Sequence, residues 1–291
     1  MIVSVDAYAK INLFLDIESL REDGYHNIIS YMHSVTLHDT VSVEHLASDT
    51  WSISLCCEEP GVPCDESNLV YKAAELFPIR TGSLRISITK RIPMSAGLAG
   101  GSADAAATLV ALNEIYGYPL SWEELKSLGN KLGADVPFCI EKGACIASGT
   151  GDVLKKTSPM PYYPIVIARM GEGMSTPYAY KSLDTKYEKF VNYSPNTDKL
   201  KVLTDGTDLS IEQYSSGFFN IFESIVEAER PYVTMLKKIL MDNGAVASMM
   251  SGSGTAVFGL FKSKLDARKA ENELASKGAF ATVCYPYYKD E

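Results

Sequence analysis

The sequence predicts an α+β fold, because its helices and strands interleave in both halves without the regular alternation of a doubly wound sheet. Strict apolar alternation over Leu84–Ile92 predicts a strand, whereas the apolar residues of Ser67–Phe77 recur at helical spacing. The chain has 291 residues, of which 46% are hydrophobic. That length and composition suffice to bury a large core in one or two domains.

The first half of the chain is predicted to begin with strands and to become richer in helices. A turn at Asp23-Gly24 connects the first two strands in the manner of a hairpin. The pair Ser121-x-x-Glu124 has the spacing of a capping box and predicts a helix that ends near Gly133. The remaining predicted elements are strands at Ile2–Ile17, Ser34–His45 and Thr50–Cys56, a helix at Ala105–Tyr116, and two short strands joined by a tight turn within Ala144–Leu154.

Three closely spaced prolines in Lys155–Pro164 mark the best candidate for a domain boundary. We therefore expect an N-terminal domain at residues 1–157 and a C-terminal domain at residues 158–291. Residues 181–208 are polar and predict loops. The other elements predicted for this half are strands at Pro164–Arg169, Ala245–Met250 and Ala279–Tyr288, two helices within residues 210–243, a strand after the S-G-S-G turn, and a charged helix at Ser263–Ser276.

The composition excludes several classes of function. The chain carries 27 basic and 36 acidic side chains, a formal net charge of −9, and has no run of lysine and arginine. This balance argues against nucleic acid or a membrane surface as the main partner, and no apolar stretch approaches the roughly 20 residues of a membrane span. The six cysteines include no C-x-x-C pair, and few histidines could complete a zinc site. No signal or transit peptide is visible, so we expect reduced thiols in a cytoplasmic protein.

The stretch Pro93–Leu109 places Gly97, Gly100 and Gly101 directly before an alanine-rich run. Clustered glycines mark a loop where the backbone bends or approaches another group closely. A glycine loop that leads into a helix N-terminus offers unpaired N–H groups and the positive end of the helix dipole to an anion. A tight turn between closely packed elements would have the same composition. The chain has neither G-x-x-x-x-G-K-[ST] nor G-x-G-x-x-G, and it lacks the G-x-S-x-G elbow of serine hydrolases.

This loop resembles the phosphate loop of the GHMP kinases, which include galactokinase, homoserine kinase, mevalonate kinase and phosphomevalonate kinase. The family pattern is P-x-x-x-G-L-G-G-G-S-S-N-A-A, and this chain departs from it at Ala99, Ala103 and Asp104. Alanine at position 99 is a small change unless that residue needs a positive φ. Asp104 brings a carboxylate close to the phosphate site, and we expect it either to favour a metal ion there or to cap the helix.

Four further segments match the same kinases in the expected order, so the resemblance covers positions 7–261, nearly the whole chain. The four segments are A-K-I-N-L, R-E-D-G-Y-H, L-G-A-D-V-P-F and M-S-G-S-G-T-A-V-F. D-G-Y-H and A-D-V-P are typical of the branch that acts on a cytidine-diphosphate-linked polyol. The glycine loop and the late S-G-S-G indicate only the superfamily.

The resemblance implies a two-domain GHMP-kinase fold with the active site in the cleft between the domains. It implies transfer of the γ-phosphate of ATP in the presence of Mg²⁺, with Asp135 as the general base and Lys10 as the cation beside it. Ser102 is the implied magnesium ligand, directly or through water. The residues implied in ATP binding are Pro93, Met94, Ser95, Ala96, Gly97, Leu98, Ala99, Gly100, Gly101, Ser102, Ala103, Asp104 and Asn68.

The residues implied in binding the second substrate are Asn12, Tyr25, His26, Thr176 and Tyr180. Tyr25 and His26 match the cytidine pocket of the family, and Tyr180 falls where the family places a second aromatic side chain on the cytosine. Stacking of a base on an aromatic ring contributes roughly 1–3 kcal/mol. The expected partners are therefore two small molecules, ATP and a cytidine-diphosphate-linked polyol, bound by a monomer or weak homodimer.

The residues also leave other interpretations open. Lys10 and Asn12 would also suit a polar pair on the solvent side of a strand, and Asp135 would also suit a helix N-cap. A homoserine or mevalonate kinase is a second possibility, but it should lack the adjacent Tyr25 and His26. A catalytically silent protein of the same fold should have lost Lys10, Asp135 or the loop, and all three are present.

Overall fold

Two long strands open the chain and supply residues to both of its compact units. The computed structural model describes residues 1–205 and 209–289. Strands β1 (Ile2–Leu20) and β2 (His26–Leu46) each contribute to both units. The first unit comprises Met1–Ala9, Leu37–Met94 and Ala99–Lys142, and the second comprises Lys10–Thr36, Ser95–Leu98 and the residues from Gly143 onward.

In the first unit, β1 and β2 form a sheet with β3 (Ser52–Cys57) and β4 (Ser83–Thr89). The order is β3-β4-β2-β1, in which β4 runs antiparallel to β2 and parallel to β3. Leu84, Ile86 and Ile88 are buried, while the residues that follow each of them are exposed. This pattern confirms the alternation predicted for the strand. The helices of this unit are α1 (Leu69–Leu76), α2 (Gly100–Ile115), α3 (Trp122–Asn130) and α4 (Val136–Glu141).

In the second unit, three short strands extend the sheet formed by β1 and β2, and four others form a separate antiparallel sheet. The first group is β5 (Ala144–Ser148), which pairs with β2, β6 (Val153–Lys156), which pairs with β5, and β8 (Phe219–Asn220), which pairs with β1. The second group is β7 (Ile165–Arg169), β9 (Ala245–Met250), β10 (Val257–Phe261) and β11 (Phe280–Cys284), in the order β11-β7-β10-β9.

The helices of the second unit are α5 (Thr176–Lys186), α6 (Thr197–Asp205), α7 (Ile211–Ser215), α8 (Glu223–Glu229), α9 (Pro231–Asp242) and α10 (Lys264–Ser276), with a 3₁₀ turn at Glu188–Phe190. Helices α9 and α10 pack against this antiparallel sheet. Leu240 of α9 packs on Gly259 of β10, where an added Cβ would lie 3.2 Å from the leucine side chain. In the part of the chain that the structure describes, no helix combines the length and the apolar character that crossing a bilayer needs.

The mixture of helices and strands confirms the predicted α+β class, but the prediction of loops at residues 181–208 is wrong. Helix α5 continues to Lys186, and α6 occupies Thr197–Asp205. Each helix buries a short apolar stripe within an otherwise polar segment, and Leu200 and Leu203 form the stripe of α6. The last three residues of that prediction, 206–208, lie outside the described residues.

The predicted boundary between residues 157 and 158 falls inside the second unit. The two compact units do not divide there because β1 and β2 belong to both of them. Residues 206–208, 290 and 291 of the predicted C-terminal domain lie outside the described residues. A division of the chain into two family domains at residue 157 therefore stays a prediction.

Helix α2 begins within the glycine cluster, at Gly100, rather than at the predicted Ala105. Its N-cap residue is Ala99, which has φ 58° and ψ 29° in the left-handed region. The change from the glycine of the family pattern is therefore not small, since a Cβ in this conformation costs roughly 1–2 kcal/mol.

Replacing Ala99 with glycine should remove this strain. Glycine also has more conformational freedom in the unfolded chain, which lowers stability by about 0.5–1 kcal/mol. The net gain in the free energy of unfolding should therefore be at most about 1.5 kcal/mol. Urea denaturation of Ala99→Gly measures it. The control is Ala103→Gly in the helix proper, which should lose about 1 kcal/mol. Equal losses in the two variants would contradict the expectation.

Candidate active site

The segment Ser95–Leu98 is held in the second unit through its carbonyl groups. The Ala96 carbonyl accepts a hydrogen bond from the Ala256 N–H at 3.0 Å, and the Leu98 carbonyl accepts one from the Lys10 N–H at 3.1 Å. Strand β1 and the turn before β10 thus donate hydrogen bonds to the carbonyl groups of the segment. These bonds fix the path of the backbone without using its N–H groups.

Gly97 makes the closest approach of this segment to the second glycine turn. It has φ 78°, and a Cβ added there would lie 2.2 Å from the Ser251 carbonyl oxygen. The Ser251 hydroxyl also donates to the Gly97 carbonyl at 3.1 Å. Both the conformation and the lack of space require glycine at this position.

The backbone N–H groups of residues 95–102 are left without partners. Among residues 1–205 and 209–289, none of these groups donates a hydrogen bond, whereas the next N–H, that of Ala103, donates to the Ala99 carbonyl at 2.8 Å. The first N–H groups of a helix have no intrahelical partner, and the helix dipole adds positive potential there. A run of unpaired N–H groups that leads into a helix N-terminus is suited to phosphate.

Gly100 and Gly101 have different surroundings within the first unit. A Cβ at Gly100 would lie 3.1 Å from the Ile92 side chain and 3.4 Å from the Lys90 ammonium. At Gly101 the nearest atom would be Leu69 Cδ1 at 3.9 Å, and the residue is exposed. Gly100 is therefore needed for packing, while Gly101 leaves the first turn of α2 open to a ligand.

Asp104 lies in the second turn of α2 and pairs with a buried lysine. Its carboxylate accepts a hydrogen bond from Lys90 Nζ at 2.6 Å, and Lys90 also donates to Asp39. Asp39 is fully buried and accepts hydrogen bonds from the backbone N–H groups of Arg91 and Ile92. One ammonium group thus joins two carboxylates from β2 and α2 beside the loop.

Burial raises the pKa of Asp104 to about 7, since the attraction of Lys90 does not offset desolvation and the repulsion of Asp39. Its Oδ1 atom is buried and has no hydrogen-bond partner. The expectation that Asp104 caps the helix is wrong, because the N-cap is Ala99 and no side chain caps this end. A contribution of Asp104 to metal binding stays a prediction.

Lys10 and Asn12 are buried on β1, 5% and 3% exposed, so the interpretation as a solvent-facing pair is wrong. Lys10 Nζ donates to Asn12 Oδ1 at 2.5 Å, and Asn12 Nδ2 donates to Ser30 Oγ at 2.8 Å. The Asn12 N–H donates to Ser251 Oγ at 3.2 Å. Asn12 therefore orients Lys10, and among the described residues of its own unit the buried ammonium has only a neutral amide as hydrogen-bond partner. A buried cation of this kind favours binding of an anion.

Asp135 occupies the N-cap position of α4, but its side chain accepts no capping hydrogen bond. The residue is half-buried, and a proline follows it at the second position of the helix, Pro137. The structure therefore does not support the N-cap interpretation of the Asp135 carboxylate. The carboxylate remains available as a hydrogen-bond acceptor for a ligand.

His26 and Tyr180 come together in the second unit, with ring centroids 4.9 Å apart and planes inclined by 30°. His26 Nε2 forms a hydrogen bond with Asp184 Oδ1 at 2.7 Å. The Phe190 ring meets the imidazole edge-on at 5.5 Å. Tyr25, in contrast, is 67% exposed at the tip of the turn between β1 and β2.

Thr176 and Asn68 are engaged in hydrogen bonds to the protein. Thr176 opens α5, and its hydroxyl bonds to Ser253 Oγ at 2.9 Å. Asn68 caps α1: its side chain accepts from the Val70 N–H at 2.9 Å and donates to the Pro63 carbonyl at 2.7 Å. Their roles in ligand binding stay predictions.

The remaining loop residues differ in exposure. Pro93 and Met94 precede the loop in the first unit, and Met94 is 39% exposed. Ser102 is half-buried in the first turn of α2, and Ala103 after it is buried. The described ranges contain no cluster of three His, Cys, Asp or Glu side chains arranged to hold a metal ion. A magnesium ion held mainly by phosphates, water and one hydroxyl needs no such cluster.

Sequence reasoning missed Asp39, Asp184 and the pairing of Lys90 with Asp104. Asp39 gave a signal, because it stands at an inward position of the alternating series Leu37-x-Asp39-x-Val41 on β2. A carboxylate at such a position requires a buried partner. Asp184 gave no comparable signal, since its segment was interpreted as a loop.

Comparison with known proteins identifies the family. A model of the GHMP kinases N terminal domain matches residues 68–143, and one of the GHMP kinases C terminal matches residues 203–279. Relatives from Caldicellulosiruptor saccharolyticus and Clostridium botulinum are 40% and 39% identical to the chain. These alignments cover 92% and 94% of this chain and 91% and 96% of the relatives, both named 4-diphosphocytidyl-2-C-methyl-D-erythritol kinase. The chain belongs to the 4-diphosphocytidyl-2-C-methyl-D-erythritol kinase family.

A crystal structure of 4-(cytidine 5'-diphospho)-2C-methyl-D-erythritol kinase agrees with this conclusion. It matches with a TM-score of 0.78 and 29% identity, over 98% of this chain and 100% of that one. The predicted GHMP-kinase fold and the resemblance based on D-G-Y-H and A-D-V-P are thus confirmed. The relatives named above favour this kinase family over homoserine and mevalonate kinases.

The raised pKa of Asp104 leads to a prediction about stability. The native state binds this proton more tightly than the unfolded chain does. The protonated Asp104 therefore contributes fully to the free energy of unfolding below about pH 4, and this contribution is lost as the pH rises to about 7. Asp104→Asn should therefore gain stability relative to the wild type over this interval, by about 4 kcal/mol at most. Urea denaturation at several pH values measures the difference.

The control for this measurement is Asp65→Asn. Asp65 is exposed, and hydrogen bonds from Ser67 lower the pKa of its carboxyl group. The free energy of unfolding of Asp65→Asn should differ from that of the wild type by a nearly constant amount between pH 4 and pH 7. If the difference for Asp104→Asn were also independent of pH, burial would not raise the pKa of Asp104.

Proposed function

We propose that the chain transfers the γ-phosphate of ATP to the 2-hydroxyl of 4-diphosphocytidyl-2-C-methyl-D-erythritol. The products are the 2-phosphate and ADP. The reaction is an intermediate step of the non-mevalonate route to isoprenoid precursors. Membership of the kinase family supports the activity. The structural observation that carries the proposal is the run of unpaired N–H groups at residues 95–102, which suits a polyphosphate.

The ATP phosphates would bind along this run and at the N-terminus of α2. Gly101 leaves the helix start open, so the phosphate oxygens can approach the backbone. The donor set fits magnesium: the Ser102 hydroxyl lies in the first turn of the helix and would complete a coordination sphere made mostly of phosphate and water. Magnesium, when bound, neutralises charge on the β- and γ-phosphates.

Lys10 and Asp135 are the residues proposed to carry the chemistry. The Lys10 ammonium is buried and held by the neutral Asn12 side chain, so its charge remains available to a transferring phosphoryl group. The Asp135 carboxylate is not used as a helix cap and can accept the proton of the attacking hydroxyl. A tertiary alcohol is a poor nucleophile, so a base within hydrogen-bond reach assists the transfer.

The cytidine diphosphate would serve as the handle by which the second substrate is held. His26 and Tyr180 form a packed pair, and Tyr25 presents an exposed ring nearby in the sequence. Aromatic and imidazole rings suit a nucleobase, which they hold by stacking and by hydrogen bonds. Thr176, hydrogen-bonded to the S-G-S-G turn, is proposed to contact the same substrate.

A coupled assay of ADP release tests the substrate. The purified chain should turn over ATP with 4-diphosphocytidyl-2-C-methyl-D-erythritol and show no activity above background with homoserine or mevalonate. Removal of free Mg²⁺ by EDTA should abolish the turnover, and added Mg²⁺ should restore it. Comparable rates with homoserine or mevalonate would overturn the proposal.

The role of Asp135 is tested by Asp135→Asn. The variant should lose at least about 100-fold in kcat, the usual contribution of a general base. Its free energy of unfolding should change by less than about 0.5 kcal/mol, since the side chain caps no helix.

Ser121→Ala is the matched control, because Ser121 caps α3 through a complete capping box. This variant should lose about 1 kcal/mol of stability and keep its kcat. An Asp135→Asn enzyme that behaved in the same way, destabilised but active, would show that Asp135 is only a structural residue.

A further inference from the structure

The His26 imidazole is fixed on three sides within the second unit. The residue is 7% exposed. Tyr180 stacks on its ring, Phe190 meets it edge-on, and Asp184 bonds to Nε2 at 2.7 Å. The ring therefore cannot flip without breaking these contacts.

The hydrogen bond to Asp184 also determines where the ring carries its proton. In a neutral imidazole, one nitrogen donates a hydrogen bond and the other accepts one. An ionised carboxylate can only accept, so Asp184 requires the proton on Nε2. Nδ1 then presents a lone pair, and no other hydrogen bond of the His26 ring is found in the described part of the chain. Orientation of a histidine by a carboxylate behind it is a general means of setting its tautomer.

We propose that Asp184 makes this site select cytosine over uracil by holding His26 as a hydrogen-bond acceptor. The inference rests on the proposed function, in which His26 contacts the base of the nucleotide handle. Cytosine presents an exocyclic amino group, a donor, where uracil presents a carbonyl oxygen, an acceptor. The Nδ1 lone pair accepts from the amino group and repels the carbonyl. Asp184 is thus a positioning residue that acts through His26.

Such discrimination can be large, because the wrong base leaves a buried polar group unpaired. Packing alone would not achieve it, since cytosine and uracil have nearly the same shape. Stacking on an aromatic ring such as Tyr180 accepts either base. The preference for cytosine over uracil therefore depends on whether His26 Nδ1 accepts or donates the hydrogen bond to the base.

The test is Asp184→Asn, assayed with cytidine- and uridine-diphosphate-linked 2-C-methyl-D-erythritol. The asparagine can donate to Nε2 through its amide nitrogen as well as accept through its oxygen, so the proton is no longer confined to Nε2 and Nδ1 becomes a donor in a fraction of the molecules. The ratio of kcat/KM for the cytidine substrate to that for the uridine substrate should fall at least about tenfold. The change should lie in the KM of the nucleotide substrate, while the KM of ATP stays within about twofold of the wild type.

The matched control is Asp23→Asn, the same chemical change three positions before His26. Asp23 is exposed and pairs with Arg21, without contact to the imidazole. Its substrate ratio should equal that of the wild type. A ratio that falls equally in both variants would overturn the proposal, because it would show a general effect of charge near the turn.

An independent measurement needs no substrate. Imidazole ¹⁵N NMR at pH 8 should show His26 protonated on Nε2 in the wild type and a measurable population protonated on Nδ1 in Asp184→Asn. Urea denaturation confirms that the variant is folded. An unchanged tautomer and an unchanged substrate ratio would overturn this inference while the kinase activity stood. A wild-type protein without activity on the cytidine substrate would overturn the proposed function, and the inference with it.

Discussion

The backbone contact between Gly97 and the turn at Ser251-Gly252 is the constraint on which the candidate site depends. A Cβ at Gly97 would lie 2.2 Å from the Ser251 carbonyl oxygen, and one at Gly252 would lie 2.9 Å from the Gly97 carbonyl oxygen. Two chain segments far apart in the sequence thus meet where neither can carry a side chain. Because this contact fixes the carbonyl groups of residues 96–98, the N–H groups of the loop are left for a ligand.

The same contact extends to the buried cation on β1. The Asn12 N–H donates to Ser251 Oγ, and the Asn12 side chain accepts from Lys10. The loop, the late glycine turn and the lysine therefore form one hydrogen-bonded assembly in the second unit. Holding a buried ammonium group opposite a neutral amide is unfavourable for stability. The arrangement is understandable if an anionic ligand supplies the missing charge.

Much of the fold and part of the site could be predicted because the relevant signals are local. The alternation of β4, the capping box at Ser121 and the glycine cluster each act over a few residues, and the structure places an element at each. The surroundings of Asp104 could not be predicted, because its partner Lys90 depends on how β4 and α2 pack. The left-handed backbone conformation of Ala99 could not be predicted either, since alanine does not indicate a positive φ. The role of Asp184 required the fold of α5, which its polar sequence concealed.

The participation of β1 and β2 in both compact units has a consequence for how this protein can be divided or assembled. Each unit is built from three separate stretches of chain, so no single cut yields either one intact. During synthesis, the first unit needs residues up to Lys142, and by then the strand residues Lys10–Thr36 still await β5 and β8. Asn12 and Gly97 therefore gain their Ser251 partner only near the end of translation, so a chain that stops early holds its glycine loop without the support that shapes it.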